Sequence, residues 1–351
     1  MLIDRLLIRA PNWMGDVVLS LGAVRDLRRN FPAARIEVLA RPGVADLYRA
    51  VGEVDAVRTT GRFPEDVATI REAGFDVAVL LPNSFGTAWQ VFRAGVSERW
   101  GYATDGRGPL LTRRARVPPG VRGQSEVYYY RAMLAGVGLE VTASPDVTLR
   151  CPDEWAARGA ALLEDGRDTA DTAGAGPWVG FSPGAAFGAA KRWIPERYSA
   201  VGDSLGRQEG ARIALLGGRD ERPLADLVAV GMRAPARNLC GQTTTAEMVG
   251  VLSQLRLLVT GDSGPMHVAS ALGVPVVAVF GPTDWRETAP FGGVNRLVRE
   301  PVHCSPCKLR ECPIDHRCMT RIGADRVLEA ARALLGTAPG PEPTAAFAAH
   351  A

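Results

Sequence analysis

The 351-residue chain contains no apolar run near the roughly 18 residues needed to span a bilayer. Its first residues, Met1-Leu-Ile-Asp-Arg5, lead straight into a strand-like stretch without the layout of a secretory signal, so the expected location is the cytoplasm. A net charge of +3 is too small to argue for a nucleic-acid partner, and none is expected. Arginine supplies most of the positive charge, which leaves local patches as a route to an anionic membrane surface. The usual nucleotide motifs are also missing. There is no G-x-x-x-x-G-K-[ST], which removes the P-loop kinases and ATPases. The first strand runs into Ala10-Pro-Asn-Trp-Met-Gly15 where a dinucleotide fold would carry G-x-G-x-x-G. No two aspartates stand two apart, so the D-x-D arrangement that holds Mg²⁺ on a diphosphate is absent. A diphosphate would have to be held by cationic side chains and backbone N–H groups.

What the chain does have is alternation. Short runs of Val, Ile and Leu alternate with amphipathic stretches, the pattern of βαβ units around parallel sheets. Hydrophobic residues at 46 % and charged residues at 23 % are ordinary for a globular protein, and the length suits two domains. Strands are expected at Leu6 to Ala10, Arg35 to Ala40, Asp55 to Thr59, Asp76 to Leu81 and Arg99 to Tyr102. A second series is expected at Trp178 to Ser182, Arg212 to Leu216, Leu257 to Thr260 and Val274 to Phe280. Between the series, residues 166–176 are small and polar without periodicity, which reads as a linker. The predicted organisation is therefore 1–165 for a first domain, 177–336 for a second, and a Pro- and Ala-rich disordered tail over 337–351.

Two βα turns, about 250 residues apart, each place an aspartate where a strand hands over to a helix. The first ends in Asn12-Trp-Met-Gly-Asp16, and the second reads Gly261-Asp-Ser-Gly-Pro-Met-His267. Ligands of open α/β sheets sit beyond the carboxyl ends of the strands, beside helix N-termini that favour negative charge. Two such turns predict one cleft with two walls. In the second turn Pro265 suits the first helical position, and Ser263 with the N–H groups around Gly264 and Met266 is a phosphate cradle. Ser182-Pro-Gly-Ala-Ala-Phe-Gly-Ala-Ala-Lys-Arg-Trp193 follows another strand, with small residues that admit a ligand and Lys191 or Arg192 as its positive charge.

Met14-Gly15-Asp16, Pro82-Asn-Ser-Phe85, Pro183-Gly184 with Lys191-Arg-Trp193, and Gly261-Asp-Ser-Gly-Pro-Met-His267 together resemble the ADP-heptose:lipopolysaccharide heptosyltransferases, glycosyltransferase family 9. The resemblance runs over about residues 3 to 335, with the heptosyltransferase II branch favoured because Ala186 and Phe187 stand where heptosyltransferase I has hydroxyl residues. It implies a GT-B fold of two facing Rossmann-like domains with parallel sheets. The acceptor would lie on the N-terminal side and ADP-heptose on the C-terminal side, with inverting transfer that requires no metal cofactor. It also implies a lipopolysaccharide inner-core acceptor and a peripheral position on the cytoplasmic face of the inner membrane.

Residue by residue, the resemblance makes Asp16 the catalytic base and Lys191 the diphosphate-binding cation. For Asp16 an N-cap role is equally open, and for Lys191 a solvated surface position. The same match puts Asp262, Ser263, Gly264, Met266 and His267 around the donor, with Met14 and Gly15 beside it. Glu221 falls near the ribose, and Thr243 and Thr244 near the adenine. Asn83 and Ser84 sit at a strand end facing the acceptor, and the arginines of the first half, Arg62 and Arg107 among them, suit its carboxylates and phosphates. Cys304, Cys307, Cys312 and Cys318 form a dense cluster that carries the spacing of no standard module and stands as a candidate structural metal site or a structural loop. Two other classes remain open at this point: a GT-B isomerase of the nucleotide-sugar 2-epimerase kind, and a non-catalytic nucleotide-sugar-binding protein.

Overall fold

A computed structural model describes residues 3–165 and 176–337. The expected linker, apart from Gly176, and the expected tail from residue 338 lie outside the described residues. In chain order the first part contains β1 (Arg5–Arg9), α1 (Met14–Asn30), β2 (Arg35–Ala40), α2 (Pro42–Arg49), β3 (Ala56–Thr59), α3 (Phe63–Ala73), β4 (Val77–Leu80), α4 (Phe85–Arg93), β5 (Glu98–Tyr102), β6 (Arg113–Ala115) and α5 (Glu126–Gly136). The second contains α6 (Asp153–Glu164), β7 (Trp178–Ser182), α7 (Pro195–Glu209), β8 (Arg212–Leu215), α8 (Arg222–Gly231), β9 (Ala236–Asn238), α9 (Thr245–Ser253), β10 (Leu257–Gly261), α10 (Gly264–Ala271), β11 (Val276–Phe280), α11 (Trp285–Thr288), β12 (Asn295–Arg299), α12 (Arg317–Thr320) and α13 (Ala324–Thr337).

Each part carries a six-stranded sheet, ordered β3-β2-β1-β4-β5-β6 in one and β12-β11-β10-β7-β8-β9 in the other. Every strand pair in the two sheets is parallel. Counted from its own first strand, the second sheet has the same 3-2-1-4-5-6 order as the first, the Rossmann arrangement. The chain is thus α/β with two Rossmann-like parallel sheets, as the alternation predicted. In that order the chain reverses direction across the sheet between β1 and β4, and again between β7 and β10. The helices leaving those strands diverge there and open a crevice at the strands' carboxyl ends.

The central strands have no polar face. Leu6, Leu7 and Ile8 in β1, and Leu257, Leu258 and Val259 in β10, are wholly buried, because helices cover both sides of a parallel sheet. In the first part α3 and α4 share one face of the sheet, with Val67, Ile70, Ala88 and Val91 packing on Leu7, Ala78 and Leu80. On the other face α1 meets α5 through a buried ion pair between Arg131 Nε and Asp26 Oδ2 at 2.6 Å.

Three strands have no counterpart among the expected ones: β6, β9 and β12. β6 and β9 are three residues long, and all three run Arg113-Arg-Ala, Ala236-Arg-Asn and Asn295-Arg-Leu-Val-Arg, without an apolar run to mark them. They form by pairing on a neighbour, at sheet edges where arginine is tolerated. Contacts group the chain into Met1–Pro152 with Thr244–Ala246 and Asp284–Gly292 in one unit, and Asp153–Thr243, Glu247–Thr283 and Gly293–Ala351 in the other. Helix α6 falls in the second unit, although the composition break after it led to its being expected in the first. Arg158 pairs with Glu247 at 2.9 Å, and a Cβ on Gly159 would overlap the backbone of Gly250. Two glycines meeting face to face leave no composition signal that a periodicity argument detects.

Candidate active site

In the second unit both sides of the switch point carry charge. β7 ends at Ser182 and leads into the glycine-rich turn that closes on Lys191, and β10 ends at Gly261, just before Asp262. Lys191 Nζ and Asp262 Oδ2 stand 2.8 Å apart, with side chains 13 % and 6 % exposed. Lys191 is therefore no solvated surface lysine; it is one of two lysines in the chain, and it is largely buried at the mouth of the sheet. The ring of Phe187 lies beneath its ammonium at 4.9 Å and supplies an aromatic face to the cation.

Helix α10 starts at Gly264 with Ser263 as N-cap, one residue before the expected start, which puts Pro265 at the second helical position. The Ser263 side chain makes no cap bond; its Oγ lies 2.9 Å from Thr260 Oγ1. The Ser263 side chain thus leaves the first-turn N–H groups uncapped, and helix N-termini of this kind favour negative charge. Met266 has a wholly buried side chain, so any contact it makes to a ligand is through its backbone. His267 is buried too, and burial pulls its imidazole down to about 4, with the Asp262 carboxylate opposing and the Lys191 ammonium reinforcing. It is a neutral ring behind the ion pair at physiological pH.

Glu221 follows β8 at the neighbouring strand end. Its Oε2 accepts from Gly218 N at 2.7 Å, and a Cβ on Gly184 would stand 2.2 Å from its carboxyl group. Glycine at 184 is what lets the turn after β7 close onto Glu221, which joins the Lys191 turn to the β8 turn. Thr243 is half-buried and Thr244 exposed, both in the loop that leads into α9.

The first unit repeats the plan. Asp16 is the third residue of α1, three residues past the N-cap Trp13, so it lies in the first turn and is not the N-cap. Met14 and Gly15 occupy the first two helical positions, half-buried. Helix α5 presents two tyrosines to this end of the sheet. Tyr130 is buried and its hydroxyl is pushed well above its ordinary range by burial first and by the Asp16 charge second. Tyr129 accepts a 2.7 Å hydrogen bond from Asn83 Nδ2. The amide oxygens of Asn12 and Asn83 are buried without a hydrogen-bond partner among the described residues. Both acceptors stand in the loops that follow β1 and β4, at the switch point of the first sheet.

Ser84 caps α4 by accepting from Thr87 N at 3.4 Å. Arg62, with a side chain 85 % exposed, pairs with Glu65 one turn into α3. Arg107 departs from expectation most. It is wholly buried, donates to the carbonyls of Tyr102 and Pro82, and is lowered to about 10 by burial. A Cβ on Gly101 would meet its guanidinium at 3.1 Å. In this structure Arg107 props the Pro82-Asn83 loop from inside; it is not an exposed fork.

A family model described as glycosyltransferase family 9 (heptosyltransferase) matches residues 67–317. The chain belongs to that family. Lipopolysaccharide heptosyltransferase 2 of Escherichia coli K12 is 29 % identical, with 94 % of this chain and 98 % of the relative covered. Its Salmonella typhimurium LT2 counterpart is 30 % identical over 84 % of this chain and 88 % of the relative. The solved E. coli ADP-heptose lps heptosyltransferase II superposes with a TM-score of 0.81 at 27 % identity, covering 94 % of this chain and 98 % of that one. This family 9 glycosyltransferase has the GT-B fold.

Beyond the expected residues, this glycosyltransferase uses its cysteine-rich loop as a buttress for Lys191. Ala190 N donates to Arg310 O at 2.9 Å, His316 Nε2 lies 2.6 Å from Ala190 O, and the Arg310 guanidinium shares the Phe187 ring at 5.1 Å. Cys304, Cys307, Cys312 and Cys318 are free thiols. Cys318 is buried and pushed up to about 11, by burial first and then by the other three. Among the described residues no three His, Cys, Asp or Glu side chains are arranged as a metal-ligand group. The buttressing roles of Arg310 and His316, like those of Tyr129 and Tyr130, depend on partners over 40 residues away in the chain, and no local pattern announces them.

Proposed function

We propose that this protein transfers L-glycero-D-manno-heptose from ADP-heptose to the inner core of lipopolysaccharide, as an inverting, metal-independent, heptosyltransferase II-like enzyme. The named relatives support the substrate pair, and the observation that carries the chemistry is the largely buried Lys191–Asp262 pair beside the α10 N-terminus. The first unit takes the acceptor and the second the nucleotide sugar. Asp16 accepts the proton of the acceptor hydroxyl as its oxygen attacks the anomeric carbon, and the bond from that carbon to the diphosphate oxygen breaks on the opposite face. Negative charge then gathers on the departing ADP, where Lys191 and the N–H groups of Gly264 and Met266 receive it. These groups carry fixed charge and dipole, so no divalent ion is needed.

Asp262, once its lysine turns to phosphate, is the acceptor for sugar hydroxyls, with Ser263 and His267 around the same turn. Glu221 takes the ribose, and Thr243 and Thr244 the adenine; Met14 and Gly15 approach the donor from the turn that bears Asp16. Asn83 and Ser84 hold acceptor hydroxyls, the orphan Asn83 oxygen being the natural partner for one, and Arg62 meets acceptor charge. The protein works as a peripheral enzyme on the cytoplasmic face of the inner membrane. No helix among the described residues is long and apolar enough to cross one.

The test is incubation of purified protein with ADP-heptose and with heptose- or Kdo-bearing acceptors, followed by mass spectrometry. One heptose added to the acceptor is the expected result. A rearranged or hydrolysed donor without acceptor points to an isomerase, and ADP binding without turnover to a sensor; either outcome overturns the proposal.

A further inference from the structure

Helix α4 turns an aromatic stripe outward. Phe85, Trp89 and Phe92 fall at i, i+4 and i+7, which puts them on one face. Trp89 stacks on Phe85 at 6.3 Å and on Phe92 at 5.5 Å, both near-parallel at 20°. A stacked aromatic row is usually core, yet Phe85 is 47 % and Phe92 42 % exposed. The core side of the helix is already filled by Thr87, Ala88, Gln90 and Val91.

The rim of the stripe is cationic. The Arg93 guanidinium lies 5.5 Å from the Trp89 ring centroid, and that of Arg99 5.4 Å from Phe92. The helix itself, Phe-Gly-Thr-Ala-Trp-Gln-Val-Phe-Arg, has no acidic residue. Rigid aromatics bordered by arginine suit the boundary between lipid headgroups and acyl chains, where ring bodies bury and guanidinium groups meet phosphate. A protein partner would satisfy the apolar part, but the one-signed rim favours a surface that is itself anionic.

We propose that the Phe85-Trp89-Phe92 face of α4, with Arg93 and Arg99, docks on the surface of a bilayer containing anionic phospholipid. This rests on the reading of the protein as an enzyme with a lipid-linked acceptor, and gives it geometry. The same helix is capped by Ser84, next to Asn83, so the surface that grips the lipid and the loop that meets the acceptor's sugars are joined in one element.

The experiment is flotation of the full chain with vesicles of phosphatidylethanolamine and phosphatidylglycerol, beside vesicles of phosphatidylcholine alone. The wild-type protein is expected to float with the anionic vesicles and to release as salt is raised. Phe92→Ser with Arg93→Glu should weaken that binding at least about tenfold, and Arg93→Glu alone, an exposed change that spares folding, about fivefold or more. Both variants should keep the wild-type melt and the wild-type rate on a water-soluble, delipidated acceptor. Equal flotation of variants and wild type, or no flotation of the wild type, overturns the surface while leaving the transferase reading intact. Self-association that the double variant abolishes, without vesicle binding, assigns the stripe to a second copy of the chain and also overturns it. No transfer to the soluble acceptor by the wild type counts against the enzyme reading instead.

Discussion

Lys191→Met separates the two duties of the buried pair. At 2.8 Å the gross attraction between Lys191 and Asp262 is about 6 kcal/mol at an effective dielectric near 20. Desolvation offsets much of that, so the measurable quantity is the cost of removing one partner and stranding the other, about 3–5 kcal/mol for a pair this enclosed. For a unit of this size that lowers the melt by roughly 10 °C. Asp262→Asn strands the ammonium in its turn and should cost a similar amount, whereas Lys191→Met with Asp262→Asn strands neither charge and should recover most of the loss.

ADP then distinguishes the single variants. In Asp262→Asn the diphosphate supplies the missing negative charge, so saturating ADP should raise its melt at least as much as it raises the wild type's; about 2.7 kcal/mol is expected at a hundredfold excess over Kd. In Lys191→Met a charge-assisted bond to phosphate is gone, which weakens ADP binding roughly ten- to hundredfold and slows transfer, since charge on the leaving group grows in the transition state. Calorimetry and melting curves on all four proteins decide the matter. Unchanged ADP affinity in Lys191→Met, or loss of the ADP response in Asp262→Asn to the same degree, refutes the reasoning.

Asp16→Asn keeps the first-turn geometry of α1 and removes the base, so kcat should fall at least about 10²-fold while the melt and ADP affinity hold; near-normal turnover removes Asp16 from the chemistry. Prolonged EDTA treatment should leave the transfer rate within about a factor of two, under roughly half a kcal/mol on the barrier. The melt must be followed in parallel because of the Cys304–Cys318 loop, and a rate loss without a melt change that Mg²⁺ alone restores would contradict the metal-free mechanism. His267, lowered from 6.5 to about 4 by burial, binds its proton more readily in the unfolded chain than in the folded one. Its contribution is therefore complete above about pH 6.5 and lost as pH falls through about 4, up to about 3 kcal/mol. Urea unfolding from pH 7 to 4.5 should show a steeper decline for the wild type than for His267→Gln, and matching slopes would rule the histidine out as the cause.

The amino-acid sequence by itself determined the parallel sheets, because buried strands need short continuous apolar runs rich in Val, Ile and Leu, and β1, β4, β10 and β11 have them. It also marked both aspartate turns and the lysine turn, since a strand that ends in Gly, Pro and Asp before a helix reads the same in any fold. Other features depended on residues far apart in sequence. The short edge strands exist only as additions to a formed sheet, and α6 found its unit through a glycine-to-glycine contact. Arg107 looked like a surface fork and became an internal prop because Gly101 leaves space for its guanidinium. Whether Lys191 was buried or solvated was settled only when β7 and β10, adjacent in the sheet though about 80 residues apart, brought Asp262 to it. Neighbours in sequence set local conformation; which charges meet, and how far water is kept from them, was decided by the order of the strands.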